Sequence, residues 1–363
     1  MQLKKKQLLA ILIFTLLFLI LSIPGFFKYI IIAFFSVLLV ISTKKNIKKN
    51  YLIILCPSIS YAALGLLSSM INGFFNIYSL KQLIFLLLPA LASIGVYTYY
   101  EQKNIDIVKI IFVATILCTL RLIPSFNSVD LLESTYCFIY GIFAIYFFYD
   151  RDYKRCVFSL TMMILSHKRI VYLAVILCLF LLFILRRNVR QKVKKRICTL
   201  VSYLGIIISY IFVWLLDNGW IIIFFHKKGI NSMGREYIWS HFSTDYVFNV
   251  SFLGKGVGYI LNKIDYLNLG PYSGNLHSDL LASFIELGFF GFGLWLLSYI
   301  IMNRKIEKMY LNDNDLCVVL MAFFVFLIIN YFTDNILIYI EFWFSFNLIL
   351  LKIISTRRKY DTK

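Results

Sequence analysis

Charged residues are scarce in this sequence. Only 15% of the 363 residues are Asp, Glu, Lys or Arg, whereas 61% are hydrophobic. A soluble domain carries roughly a quarter charged residues, so this chain has too little polar surface to cover a water-soluble globule. The composition therefore excludes a soluble enzyme and predicts an integral membrane protein.

Acidic residues are the scarcer of the two charge types. The chain has 18 Asp and Glu against 37 Lys and Arg, which gives a formal net charge of +19. In a soluble protein this excess would suggest nucleic-acid binding. In a membrane protein, the positive-inside rule and anionic lipid already explain basic loops, so we expect membrane lipid and no nucleic acid as a partner.

The sequence also lacks cysteine motifs and nucleotide-binding motifs. The seven cysteines form no CxxC pair and most lie in apolar runs, where small buried side chains are their usual role. The glycine-rich stretch 254–258 lacks the spacing and the Ser or Thr of a P-loop, and we interpret it as a flexible loop. The sequence therefore predicts no metal site and no cofactor.

Long apolar runs are what the sequence does have. A helix needs about 20 residues to cross ~30 Å of hydrocarbon. Twelve runs approach or reach that length: 8–24, 26–42, 51–71, 83–100, 107–123, 133–149, 155–167, 170–185, 197–216, 279–302, 315–333 and 336–352. We predict an all-α, polytopic membrane protein with about twelve transmembrane helices.

One connection is much longer than the others. Residues 1–216 hold about nine of the predicted helices, 217–278 form one large loop, and 279–363 hold about three helices and a tail. Long loops tend to carry function. With the N terminus in the cytoplasm, the predicted cytoplasmic stretches carry 27 Lys and Arg and the opposite face carries 10. This asymmetry predicts cytoplasmic termini and an extracytoplasmic large loop.

The first polar cluster is the turn 166–169, which contains His167, Lys168 and Arg169. One over-long helix through 155–185 would strand two cations at mid-membrane, where each costs at least ~2.5–3.5 kcal/mol. We therefore predict two short helices meeting at a turn recessed from the outer surface. Such cations suit a phosphate or pyrophosphate; as an alternative, they only hold the helix ends at the interface.

The second cluster is 234–242, in the large loop. Ile238, Trp239 and Phe242 have helical spacing, which predicts an amphipathic helix on the bundle or on the lipid interface. Arg235 would open that helix and face inward. Alternatively, Arg235 and Glu236 are ordinary surface charges.

The third cluster begins where the loop re-enters the membrane. Ser278 or Asp279 suits the N-cap of the next helix, and His277 has an unperturbed pKa suited to proton transfer near neutral pH. Glu286 lies about two turns deeper, where a carboxylate is costly without a partner. The alternative is a helix cap with an interface histidine.

Together these clusters resemble the O-antigen polymerase and O-antigen ligase superfamily of bacterial polysaccharide assembly. The resemblance covers the architecture of most of the chain. It also covers the Ser-x-x-Arg turn, the Gly-Arg…Trp stretch and, most specifically, the block His277-Ser278-Asp279 with Glu286-Leu287-Gly288-Phe289-Phe290-Gly291. Where the family commonly has asparagine after the histidine, this chain has Ser278.

The resemblance implies a GT-C-like, metal-independent glycosyltransferase of the cytoplasmic membrane. Its donor would be an undecaprenyl-diphosphate-linked oligosaccharide and its acceptor a growing polysaccharide on the external face, with a chain-length regulator as a possible partner. By this resemblance Arg169 and Arg235 would hold the pyrophosphate and His277 would activate or position the acceptor hydroxyl. Further substrate contacts are expected from a set of neighbouring side chains: His167, Lys168, Trp239, Asp279 and Glu286.

Three functions remain open from the sequence. We favour a polymerase of repeat units for capsule, exopolysaccharide or O-antigen. A ligase, which transfers finished glycan to another acceptor, would share the same residues. A lipid-linked oligosaccharide flippase should show paired halves and charges along a central cavity, whereas the polar clusters here all fall on the predicted external side.

Overall fold

The computed structural model describes residues 2–21, 37, 41, 43, 46–120, 135–166, 168–186, 189–229, 234–268, 275–309 and 315–361. These residues form α-helices and two short 3-10 helices without any β-strand, so the all-α prediction is confirmed for them. The described parts of eleven of the twelve predicted apolar runs fall on helices. Apart from isolated positions, the run 26–42 lies outside the described residues.

Fourteen α-helices make up most of this part of the chain. They are α1 (Gln2–Leu21), α2 (Cys56–Asn72), α3 (Ile77–Gln102), α4 (Ile107–Leu120), α5 (Tyr136–Tyr149), α6 (Tyr153–Leu165), α7 (Arg169–Arg186), α8 (Gln191–Asp217), α9 (Trp220–Lys228), α10 (Arg235–Ser240), α11 (Tyr259–Leu267), α12 (Asp279–Met309), α13 (Leu316–Thr333) and α14 (Ile340–Asp361). A 3-10 helix, Lys49–Leu55, leads into α2, and another, Ile336–Ile338, lies between α13 and α14.

Six of these helical segments are long and apolar enough to cross a membrane. They are α2 with its preceding 3-10 helix, α3, α7, α8, α12 and α13, while α4 and α5 are apolar but shorter. The chain is therefore a helical membrane protein. The count of about twelve spans and the GT-C-like fold stay predictions.

Contacts between distant helix termini define two ends of the bundle. At one end, Lys168 beside α7 pairs with Asp334 after α13, and the Asp279 amide of α12 donates to the Asp334 carbonyl. We call this the loop end, because the described residues of the loop 217–278 also pack there. At the other, which we call the basic end, Lys194 of α8 pairs with Asp315 at 2.8 Å. Arg186, the last residue of α7, donates at the basic end to the carbonyls that close α5.

A kink in α12 determines how the loop packs. Gly288 has φ 75° and ψ −179°, a conformation that is essentially restricted to glycine and breaks the helical hydrogen-bond ladder. Residues 252–258, which we call the strap, replace the missing bonds. The Lys255 amide donates to the Ile285 carbonyl at 2.7 Å, and the Phe289 amide donates to the Phe252 carbonyl at 2.8 Å.

The glycines of the strap allow its backbone to lie directly on three helices. A Cβ at Gly254 would come within 2.6 Å of the Glu286 carbonyl oxygen on α12, and one at Gly256 would come equally close to the Ser69 hydroxyl on α2. A Cβ at Gly258 would meet the Tyr78 carbonyl on α3 at 2.5 Å. The interpretation of 254–258 as a flexible loop is therefore wrong, because this stretch is packed and hydrogen-bonded into the bundle.

Candidate active site at the loop end

The turn after α6 has the predicted form of two helices rather than one. Ser166 ends α6, with its hydroxyl donating to the Met162 carbonyl at 2.9 Å, and Arg169 begins α7. The Arg169 side chain is exposed at the loop end. His167 lies outside the described residues.

Lys168 has a partner inside the protein. Its Nζ lies 2.6 Å from Asp334 Oδ2 and 4.9 Å from the centroid of the Phe138 ring. Asp334 is only 2% exposed and also accepts a hydrogen bond from the Tyr339 hydroxyl at 3.1 Å. The ammonium therefore neutralises a buried carboxylate and fixes the α6–α7 turn to the end of α13. Phosphate binding by Lys168 stays a prediction beside this structural role.

The loop helix α10 begins at Arg235, as the sequence predicts. Ile238 and Trp239 of this helix are 1% and 3% exposed, and Phe242 in the turn after it is fully buried, so the helix packs on the bundle. Trp239 Nε1 donates to the Leu276 carbonyl at 2.9 Å. In this arrangement Trp239 positions the loop against the segment that carries the histidine, and its expected contact with substrate stays a prediction.

His277 occupies an unusual backbone position between the loop and α12. Its φ is 53°, in the left-handed region that non-glycine residues seldom adopt. Directly after it, Ser278 caps α12: its hydroxyl accepts from the Leu281 amide at 3.3 Å and its carbonyl from the Ala282 amide at 3.0 Å. Ser278, rather than Asp279, is thus the N-cap, and asparagine could form the same cap.

The two carboxylates after the cap bind backbone amides. Asp279 is 3% exposed, and its Oδ2 accepts from the Leu337 amide at 2.9 Å. Glu286 is 1% exposed and accepts from the Tyr61 hydroxyl at 2.9 Å. Its other oxygen accepts from the amides of Gly258 and Ile260 at 3.1 and 3.3 Å.

Glu286 therefore provides a carboxylate at the N terminus of α11, where helix amides favour negative charge. The sequence predicts that this carboxylate needs a partner, but nothing in it identifies Tyr61 or Gly258. For Asp279 and Glu286, contact with substrate stays a prediction, and the contacts described here are internal.

A small cavity lies beside this group. Its volume is about 30 Å³, enough for one or two water molecules. Polar side chains from three helices and two connecting segments reach it: Tyr61, Gln82, Asn275, Asp279, Glu286 and Asn335. No group of three or more His, Cys, Asp or Glu that could hold a metal occurs in the described part of the chain.

A second polar group stiffens the loop itself. Asp245 accepts from the Tyr259 hydroxyl at 2.8 Å and pairs with Lys263. Burial, followed by the neighbouring Asp245 carboxylate, raises the pKa of Tyr259 above its ordinary value. Tyr259 therefore stays a neutral donor that links α11 to the segment after α10. The sequence gives no signal for this group, because its members are unremarkable polar residues of one loop.

Hydrogen bonds connect the three predicted clusters. One turn after Arg235, Trp239 bonds to Leu276, the residue before His277. On the other side, Asp279 bonds to the Asp334 carbonyl, and the Asp334 carboxylate holds Lys168, the neighbour of Arg169. The segments that carry Arg169 and Arg235, far apart in sequence, are thus fastened to the two sides of the His277 segment.

Comparison with known proteins covers the same region. Residues 156–296 match the family model Wzy_C, described as O-antigen ligase. The match runs from α6 through the loop into α12 and includes Arg169, Arg235 and His277. No curated protein and no solved structure matches the chain. This match to an O-antigen ligase model, over residues 156–296, confirms the resemblance to the O-antigen ligase and polymerase superfamily seen in the sequence motifs.

Proposed function

We propose that this membrane protein polymerises repeat units of an envelope polysaccharide. The donor is an undecaprenyl-diphosphate-linked oligosaccharide and the acceptor is a growing glycan, joined at the external face of the bacterial cytoplasmic membrane. Both termini lie in the cytoplasm in this proposal. The observation that carries it is the attachment of the Arg169 and Arg235 segments to the two sides of His277.

The chemistry requires two kinds of group. The acceptor hydroxyl oxygen forms a bond to the anomeric carbon of the donor, while the bond from that carbon to the diphosphate breaks and the diphosphate leaves with the electron pair. Arg169 and Arg235 stabilise the negative charge that grows on the diphosphate, which is most effective in a preorganised site of low dielectric. His277 accepts the hydroxyl proton. A single direct displacement inverts the anomeric centre.

The main alternatives differ in the acceptor or in the absence of chemistry. A ligase would use the same residues and transfer finished glycan to a lipid or protein. A flippase would move the lipid-linked oligosaccharide without forming a glycosidic bond. The polymerase is favoured over the flippase because the polar clusters meet at one end of the bundle rather than along its length.

Deletion of the protein in its native cell, followed by gel analysis of the glycan, separates these functions. A product with a single repeat indicates a polymerase, and intact polymer that is not attached to its acceptor indicates a ligase. Absence of external glycan indicates a flippase. Either of the last two results would overturn the proposal.

The roles of the three residues are tested by complementing the deletion strain. Arg169→Ala, Arg235→Ala and His277→Ala should each lower polymer formation by about 10²-fold or more, since loss of one electrostatic or proton-transfer group has that effect. Lys227→Ala, which removes an exposed cation of the same loop, is the matched control and should polymerise normally. Equal membrane levels are verified by immunoblot. Normal polymer from both arginine variants would refute diphosphate binding at these positions.

A further inference from the structure

An open groove of about 500 Å³ runs along the part of α8 that begins at the basic end. Lys195 and Arg196 line one of its ends, and Leu200, Leu204 and Ile207 line its length. These apolar side chains are exposed on the protein, at 60%, 43% and 53% respectively. Because α8 is long and apolar enough to cross a membrane, we expect these side chains to face hydrocarbon.

The groove has the dimensions of one membrane leaflet. Arg196, Leu200, Leu204 and Ile207 follow one another at intervals of four, four and three residues, which places them on one stripe of the helix. From Arg196 to Ile207 the helix rises about 16 Å. That is roughly half of the ~30 Å hydrocarbon core, so the stripe runs from the basic end to near the membrane centre.

Positive charge collects where the groove meets the basic end. Arg304 of α12 reaches it, with its guanidinium carbon 5.4 Å from the centroid of the Tyr203 ring, another lining residue. Glu307 is the acidic neighbour of Lys195 and Arg304. Three cations thus face one carboxylate, and the head of the groove keeps an excess of positive charge.

The two lining cations differ from the residue before them. Lys194 is 5% exposed and pairs with Asp315 at 2.8 Å. Among the ion pairs of the described residues, none includes Lys195 or Arg196. Lys194 therefore stabilises the fold, whereas its two neighbours present their charge at the edge of the groove.

We propose that this groove binds one anionic phospholipid of the leaflet at the basic end. The lipid phosphate lies against Lys195 and Arg196, and one acyl chain follows Leu200, Leu204 and Ile207. Basic clusters between membrane helices recognise anionic head groups, and the arginine fork can bond two phosphate oxygens at once. This binding site is independent of the glycan chemistry at the loop end.

Native mass spectrometry of the purified full chain tests the site. The protein is incubated in detergent with phosphatidylglycerol or with phosphatidylcholine of the same acyl chains, and retained lipid is counted. The wild type should retain phosphatidylglycerol in preference. In the variant Lys195→Ala/Arg196→Ala that retention should fall about tenfold or more. The matched control, Lys227→Ala/Lys228→Ala, removes two adjacent exposed cations from α9 and should retain phosphatidylglycerol as the wild type does.

A further variant tests the apolar part of the groove. Leu204→Trp fills it from a side chain that faces lipid, so folding is preserved while phosphatidylglycerol retention falls. Equal retention by the two double variants, or equal retention of the two lipids by the wild type, would overturn the proposal. The proposal would also be overturned if the wild type were a dimer and Leu204→Trp dissociated it without loss of lipid. The groove would then bind a second copy of the chain.

Discussion

At the turn between α6 and α7, two neighbouring cations have opposite surroundings. Arg169 is exposed, whereas Lys168 is paired with a carboxylate that is almost fully buried. An exposed cation is available to a substrate, and a cation in a buried pair is held by the fold. The difference separates the two residues functionally, although they stand side by side in the sequence.

The Lys168–Asp334 pair should contribute strongly to stability. Lys168→Ala leaves the Asp334 charge buried without its cation, which costs about 3–5 kcal/mol. The combination Lys168→Ala/Asp334→Asn should lose less than the sum of the single changes, because no unpaired charge remains. Thermal unfolding in detergent, followed by size-exclusion chromatography, measures all three variants. Additive losses would show that the two groups do not interact.

Ser278 provides a second test at the scale of one residue. Ser278→Ala removes the hydroxyl that accepts from the Leu281 amide and should destabilise the protein by about 0.5–2 kcal/mol. Ser278→Asn keeps an acceptor and should restore both stability and polymer formation. The comparison is made by thermal unfolding and by glycan gels in the same strain. If asparagine were as destabilising as alanine, the capping role would be wrong.

The sequence predicts single residues well only where local rules apply. The cap at the start of α12, the start of α10 at Arg235 and the break before Arg169 all follow from short-range patterns. Partners across long separations do not. Lys168 and Asp334 are 166 positions apart, and Tyr61 and Glu286 are 225 apart, so no local pattern connects them.

At the scale of elements, the kink in α12 and the strap depend on each other. The kink frees carbonyl groups of α12, and the strap supplies the amides that bind them. The hydropathy of α12 predicts one uninterrupted span. Gly288 alone does not predict a kink, because a glycine can also lie within a regular helix. The kinked conformation is stabilised by the strap, which is distant in the sequence.

The strap predicts a sharp difference between two glycines with positive φ. Gly288→Ala should abolish accumulation of folded protein, because its Cβ would overlap the Leu253 carbonyl carbon in a conformation available essentially to glycine. Gly73→Ala is the matched control: Gly73 has φ 63° but no atom within 4 Å of a Cβ. Its cost should stay near 1 kcal/mol. The yield of monodisperse protein after detergent extraction is measured for both variants. Equal yields would contradict the packing of the strap.

At the scale of the whole molecule, the charge distribution predicts which end faces the cytoplasm. The basic end carries Lys194 and the loop end carries α11. Tyr266→Cys on α11, a position 86% exposed, should react with an impermeant thiol reagent applied to intact cells. Lys154→Cys, exposed near the basic end, should react only after permeabilisation. The reverse pattern would invert the topology.

The native cysteines make this labelling experiment feasible in the unmodified background. Six of the seven are buried and Cys56 is half-buried. The wild type should therefore give little signal, and it serves as the control for both variants. Strong labelling of the wild type would show that the helices do not pack as described.

Interlocking of the strap with α12 also sets an order for biogenesis. Residues 252–258 leave the ribosome before the Ile285–Phe289 portion that they bind. Until that portion is synthesised, the strap amides that bind it can form hydrogen bonds only with water. The glycine contacts with α2 and α3 can form earlier, whereas those with α12 cannot. Nascent chains released before residue 289 should thus stay sensitive to added protease across the strap, and longer ones should become resistant.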